Sequence, residues 1–250
     1  MSTKPKVAFF DFASCEGCQL QIANLEEEII DLVSLVDLVE FREVMTEKVP
    51  SYDIAFVEGS ITRKKDEARL QDIRERSGLL VALGACAATG GLNKLKNARG
   101  NLDQVRRDVY GSDWNRPHLD TYATRAVDEV VKVDLHIHGC PINREEFLRV
   151  VEALALGTKP EMPDYPVCAE CKIKENVCLF HLGETCLGPI VRAGCGAICP
   201  SNGVPCEGCR GIILHANRNA MKDVLSEYHL TVEQVAEKFN LFPLYPEVTP

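Results

Sequence analysis

The chain has 250 residues, 46% of them hydrophobic and 26% charged, and a formal net charge of −9. That composition belongs to a soluble globular protein of one large or two modest domains. The negative balance, the lack of a basic run and the lone Trp114 exclude a nucleic-acid surface, and no apolar run approaches the ~20 residues of a membrane-spanning helix.

Residues 6–12 are short, apolar and aromatic and read as a buried strand. They run into a loop carrying Cys15 and Cys18. Residues 19–35 follow with Leu20, Ala23, Ile30 and Val33 near helical spacing and Glu26, Glu27 and Glu28 on the wet side, which predicts one helix. Residues 36–44 and 52–57 are further strands, the latter stopped by Glu58-Gly59-Ser60. Residues 64–76 form a charged helix. Residues 79–83 are a fourth strand, followed at once by Gly84-Ala-Cys86. Residues 92–125 are polar and irregular, with a short helix at 102–110. A fifth strand at 133–137 leads into Gly139-Cys140-Pro141. Residues 144–156 then give an amphipathic helix with Phe147, Val150, Val151 and Leu154 on one side.

Strands alternating with helices imply an α/β fold with a parallel sheet covered on both faces. Ligands of such sheets sit beyond the carboxyl ends of the strands. Cys15, Cys18, Cys86 and Cys140 all follow predicted strands, so three separate loops deliver four thiols to one edge.

Residues 157–166 hold three prolines and read as a linker. Beyond it, residues 168–209 contain eight of the twelve cysteines: Cys168, Cys171, Cys178, Cys186, Cys195, Cys199, Cys206 and Cys209. Gly and Pro punctuate this stretch, and it has too few large apolar residues to build an ordinary core, so something bound by the sulfurs must supply cohesion. Disulfides, zinc and iron–sulfur clusters are the three chemistries available. Residues 1–6 lead into Val7-Ala-Phe-Phe without the apolar core or cleavage site of a signal peptide, so the expected location is the cytoplasm. A reducing cytoplasm disfavours disulfides, which leaves metal. Cys168/Cys171 and Cys206/Cys209 are spaced like zinc knuckles. The single cysteines, and the Cys-Pro pairs at Cys140 and Cys199, favour iron–sulfur. Past residue 212 the chain returns to ordinary mixing, with a short helix expected from Thr231 and a Pro-rich end.

The motifs become specific when taken together. Cys15-Glu-Gly-Cys18-Gln-Leu-Gln, Gly84-Ala-Cys86-Ala-Ala-Thr-Gly-Gly and Gly139-Cys140-Pro141 resemble the proximal-cluster motifs of [NiFe] hydrogenase small subunits. Cys168-Ala-Glu-Cys171, Cys178, Cys186-Leu-Gly-Pro, Ala-Gly-Cys195 and Cys206-Glu-Gly-Cys209 resemble the same family's C-terminal cluster domain. The resemblance implies a flavodoxin-like domain over residues 1–157, a small irregular iron–sulfur domain over 158–212, and a tail over 213–250.

It also implies three [4Fe–4S] clusters. Cys15, Cys18, Cys86 and Cys140 would hold the proximal one. Cys195, Cys199, Cys206 and Cys209 would hold the medial one, and Cys168, Cys171, Cys178 and Cys186 the distal one. A Cys at 168 and a fourth thiol at Cys199 separate the chain from the periplasmic enzymes. The missing export signal and Glu16 between the proximal pair fit the cytosolic group, such as F420-non-reducing hydrogenases and sulfhydrogenase delta subunits.

The implied function is electron relay between a large subunit holding nickel and iron and a further acceptor subunit bearing iron–sulfur or flavin. Glu16 is a candidate proton acceptor by the same resemblance, against a solvated or helix-capping carboxylate. Arg192 and Arg210 flank cysteines and are candidates to offset cluster charge. The six histidines read as structural, with His181 the one to test. A 20 kDa-type cluster subunit of respiratory complex I and a zinc-stapled, non-redox scaffold are the alternatives.

Overall fold

A computed structural model describes residues 4–112, 116, 118, 120–213, 224, 226–228 and 242. Five strands form one sheet: β1 (Lys6–Asp11), β2 (Asp37–Phe41), β3 (Tyr52–Glu58), β4 (Ser77–Leu83) and β5 (Leu135–Ile137). All neighbours pair in parallel, in the order β2-β1-β3-β4-β5. This is the doubly wound order in which the chain reverses direction across the sheet between β1 and β3, leaving a crevice at their carboxyl ends.

Successive side chains of a strand point to opposite faces, and here both faces are apolar. Val7, Phe9, Ile54, Phe56, Val81 and Leu83 enter one core. Ala8, Phe10, Ala55, Val57, Leu80 and Ala82 enter the other. Helices α1 (Gly17–Ala23), α2 (Glu28–Leu35) and α6 (Arg144–Ala155) cover the first face, and α3 (Lys64–Arg76) covers the second. Phe9 packs against Phe41 and Phe56 at 4.6 and 4.9 Å between ring centroids, and Phe147 of α6 meets Phe56 at 5.4 Å. Each such buried ring contributes roughly 2–3 kcal/mol, so the aromatic block holds the sheet without help from a metal.

Two expectations need correction. The single helix over residues 19–35 is two, because Glu26 takes a left-handed φ of +53° between them. The break also changes which residues face inward. Ile22, Leu25 and Leu32 are buried, whereas Leu20, Ile30 and Val33 are 45%, 68% and 43% exposed. Glu26, Glu27 and Glu28 are exposed, as expected. α4 (Gly84–Thr89) follows β4 directly, and the stretch expected to be irregular, 92–125, begins within a 3-10 helix, Gly91–Arg99, before α5 (Leu102–Tyr110).

The cysteine-rich region has only short elements: α7 (Val167–Ile173), a 3-10 turn at Leu179–Leu182, and α8 (Ile198–Ser201). It does own a small apolar group, Val167, Phe180, Leu187, Ile190 and Val191, but Cys186 and Cys206 are packed within it. No helix among the described residues is long and apolar enough to cross a membrane. The helix expected from Thr231 lies outside the described residues.

Candidate metal centres

At the carboxyl edge of the sheet, Cys15 comes from the β1–α1 turn, Cys18 from the first turn of α1, Cys86 from α4 just past β4, and Cys140 from the loop after β5. The thiols of Cys15, Cys86 and Cys140 lie within electrostatic reach of one another, and Cys18 within reach of Cys86. Burial, reinforced by Cys140 and Cys15, pushes the Cys86 thiol up to about 12. Burial and the neighbouring Glu58 carboxylate raise Cys18 as well. Gly84 has φ +81°, and a Cβ there would stand 2.3 Å from Cys18 Sγ, so the turn under this thiol admits only glycine.

Glu58 was missed as a site residue. It ends β3 at the sheet's switch point, is 2% exposed, and its two oxygens accept the N–H groups of Cys18 and Gln19 at 3.1 and 3.0 Å. It therefore caps the start of α1 and fixes the Cys18 backbone. A glutamate at the end of an otherwise apolar strand was the available signal.

The other eight thiols lie close together, with Cys186 within electrostatic reach of Cys199 and Cys206 as well as of Cys171 and Cys178. Cys168 is within electrostatic reach of Cys186, Cys171 and Cys178, and burial pushes it up to about 12. Cys186 is likewise within reach of Cys171 and Cys178. Cys195 lies within reach of Cys199, Cys206 and Cys209, and Cys206 within reach of Cys209. All four of these last thiols line one cavity of about 620 Å³.

The groups also adjoin one another. Cys140 lines that same cavity and lies within reach of Cys209. On the far side the Cys206 N–H donates to Cys186 Sγ at 3.2 Å. Cys209 thus adjoins Cys140 of the sheet edge, and Cys206 adjoins Cys186.

The donor set fits iron–sulfur clusters. All twelve cysteines are free of disulfides. Besides Cys86, seven of the thiols are raised above the ordinary thiol value, first by burial and then by neighbouring charges. Without a metal these would be neutral thiols; a bound cationic core would replace their protons. Gly188 leaves space beside two of them, since a Cβ there would stand 3.2 Å from Cys168 Sγ and 3.4 Å from Cys186 Sγ. Among the described residues no three His, Cys, Asp or Glu side chains close on a single ion.

The remaining candidates are placed as follows. Glu16 has φ +60° at the start of α1 and caps no helix N–H. It pairs instead with Arg42 at 2.5 Å. Burial raises its carboxyl pKa, with Arg42 opposing and Glu43 and Asp11 adding to the rise. His136 and His138 stack at 5.8 Å, and burial, with Arg192 next, holds His138 down at about 3 and so uncharged. His181 Nδ1 is 3.3 Å from Tyr228 Oη.

Arg210 is not at the surface. It is 1% exposed and donates to the carbonyls of Ala193 and His138 at 2.7 and 2.5 Å and to Glu146 Oε1 at 2.6 Å. Arg192 is mostly covered and donates to the Pro163 carbonyl at 2.9 Å.

Comparison with known proteins accords with this arrangement. The sequence pattern of the family described as NADH ubiquinone oxidoreductase, 20 Kd subunit, matches residues 15–154, more than half the chain. That stretch contains β2 to β5 and the four thiols at the sheet edge but none of the eight later cysteines. Relatives that extend over both regions are hydrogenase subunits. The delta subunit of sulfhydrogenase 2 from Pyrococcus furiosus is 36% identical over 95% of this chain and 98% of its own. A subunit of the F420-non-reducing hydrogenase vhu from Methanococcus voltae is 34% identical over 84% of this chain and 83% of its own.

Among solved structures, a chain of an NAD+-reducing [NiFe]-hydrogenase superposes with a TM-score of 0.59 at 26% identity, covering 64% of this chain and 96% of that one. A chain of the [NiFeSe] hydrogenase from Desulfovibrio vulgaris Hildenborough covers 86% and 94% at a TM-score of 0.52; at 17% identity it shows the shared fold alone. The chain belongs to the small-subunit family of [NiFe] hydrogenases, on the fold of the 20 kDa oxidoreductase subunits, and is an oxidoreductase subunit of the sulfhydrogenase delta and F420-non-reducing type.

Proposed function

We propose that this chain relays electrons in a cytoplasmic [NiFe] hydrogenase through three [4Fe–4S] clusters. Cys15, Cys18, Cys86 and Cys140 hold the proximal cluster. Cys195, Cys199, Cys206 and Cys209 hold the medial one, and Cys168, Cys171, Cys178 and Cys186 the distal one. Bound clusters of this type carry one electron at a time. The domain of residues 1–157 presents the proximal thiols to a large subunit that holds nickel and iron. The domain of residues 158–212 carries the other two groups toward an acceptor subunit with iron–sulfur or flavin, and residues 213–250 form a tail.

The observation that carries this reading is the order of the three thiol groups. The medial group adjoins the proximal one through Cys140 and Cys209 and the distal one through Cys206 and Cys186. Three groups in file, with the middle one touching both ends, make a conductor rather than three independent staples. The chain's own part is to hold the thiols unprotonated on bound iron, to aim backbone N–H groups at the sulfurs, and to exclude water. The Gly188 and Cys206 N–H groups both point at Cys186. Glu16, beside Cys15 and with its carboxyl pKa raised, takes up protons at the large-subunit face; Glu16→Gln lowers turnover if so and leaves it unchanged if not.

The test of the assembly is to purify the native complex through this chain without oxygen. Nickel and a larger subunit come with it under this reading; a preparation with iron but no nickel contradicts it.

A further inference from the structure

The two groups of the cysteine-rich region are joined by a side chain that ligates nothing. Glu170 lies in α7 between Cys168 and Cys171, both of the distal group. Its carboxylate leaves that group and reaches the loop that carries Cys195. Oε1 accepts the Gly194 N–H at 2.8 Å and Oε2 accepts the Ala197 N–H at 3.1 Å, while Cys195 Sγ stands 4.0 Å from Oε2. Both oxygens are therefore spent on the two residues that bracket Cys195 and Gly196.

The loop does not hold its shape by local preference. Gly194, Gly196 and Ala197 have φ of +107°, +63° and +48°. An alanine in the left-handed region costs about 1 kcal/mol or more and persists only where its surroundings impose it. The Glu170 carboxylate supplies that imposition, through charge-assisted bonds stronger than neutral ones. Asn176 makes a second tie nearby: its Nδ2 is 2.9 Å from Ser201 Oγ in α8 and 3.6 Å from Cys171 Sγ. That tie joins neutral partners in an exposed position. Glu170 is the charged tie, and it acts directly on a medial thiol's own loop.

We infer that Glu170 is a positioning residue that sets how the medial and distal thiol groups face each other. The inference rests on the relay reading above, in which those groups hold successive clusters. Its effect is on alignment between two bound groups rather than on retention of either, because every ligand sulfur remains when Glu170 is removed.

The test uses the intact anaerobic complex carrying Glu170→Ala, Glu170→Gln, or Glu184→Ala as an exposed control from the same region. Four quantities are read: iron per chain, hydrogen–deuterium exchange at the catalytic centre, H2-driven reduction of a one-electron dye, and the magnetic interaction between reduced medial and distal clusters by electron paramagnetic resonance. Glu170→Ala is expected to keep full iron and full exchange. Its dye reduction falls at least roughly tenfold, since small misplacements of reacting groups carry penalties of that order or larger, and the magnetic interaction weakens. Glu170→Gln keeps one acceptor oxygen and falls between Ala and wild type, while Glu184→Ala matches wild type.

An unchanged magnetic interaction in fully loaded Glu170→Ala overturns the inference, whatever the dye rate. Loss of iron in that variant also overturns it, since the residue would then be a structural support. If the wild-type complex itself shows no interacting pair of clusters, the relay reading fails instead.

Discussion

On the sheet side, Phe9, Phe41, Phe56 and Phe147 pack into one buried aromatic block that contains no ligand thiol except Cys18 at its edge. On the cysteine side, the apolar group has eight buried members, and two of them, Cys186 and Cys206, are themselves ligand candidates. In the first region the thiols stand at the end of an apolar core; in the second, two of them are part of it, so under the relay reading a bound cluster would complete that core. The same element, four thiols in reach of one another, is a decoration in one place and a foundation in the other.

That contrast is broken or upheld most visibly by iron removal. Anaerobic chelation is expected to open residues 168–209 to protease at least roughly tenfold faster while the sheet region stays resistant, because local opening follows local cohesion. Cleavage mapped by mass spectrometry reads this. Equal loss of both regions would show that the sheet also depends on its cluster.

The seam between the regions gives the next effect. Arg210 and Glu146 pair at 2.6 Å with side chains 1% and 2% exposed, and they tie the residue after Cys209 to α6 of the sheet domain. Arg210→Met leaves a buried, unpaired carboxylate and is expected to cost about 3–5 kcal/mol. Adding Glu146→Leu removes the stranded charge and recovers part of the loss, since the Ala193 and His138 carbonyls still lack the Arg210 donor. Thermal unfolding of the iron-loaded protein measures both; a single variant as stable as the double would show that the pair does not hold the seam.

The smallest effect belongs to the sheet alone. Burial opposes ionisation of Asp134, but the Leu80 N–H at 2.9 Å and Arg74 at 2.5 Å outweigh it and hold the carboxyl below its ordinary value. A depressed folded pKa stabilises above the unfolded value of about 3.9 and is lost as pH falls through the folded one. Asp134→Asn is therefore expected to cost roughly 1–2 kcal/mol at pH 7. Its penalty should shrink below about pH 4 and be indifferent to iron. A penalty that grows on acidification would reverse the assignment.

Much of this was legible in the sequence, and unevenly. All five strands, α3 and α5 were found from apolar runs and charge spacing, because a buried parallel sheet leaves a strong local signature. The four thiols at the sheet edge were found because strand ends converge by topology. The break at Glu26 was not, since a helix over 19–35 and two helices with a turned register share almost the same composition; only the burial of Leu25 and Leu32 tells them apart. Glu58 and Glu170 were missed, and Arg210 was named for its charge but not for the distant groups it holds, for one reason. Each acts on backbone groups far along the chain, and no spacing rule carries such a partner. The cysteine-rich region was rightly read as short of apolar residues, yet its small apolar group includes the cysteines, which a count of large hydrophobic residues does not register.

The central claim is that twelve thiols hold three cubes in file. The direct measurement is iron and acid-labile sulfide per chain in the anaerobically purified complex, after subtracting the partner subunits' share, with electron paramagnetic resonance of the oxidised sample. About twelve irons for this chain and no strong [3Fe–4S] signal are expected. Roughly four irons, or a stoichiometric [3Fe–4S] signal in undamaged protein, would contradict it.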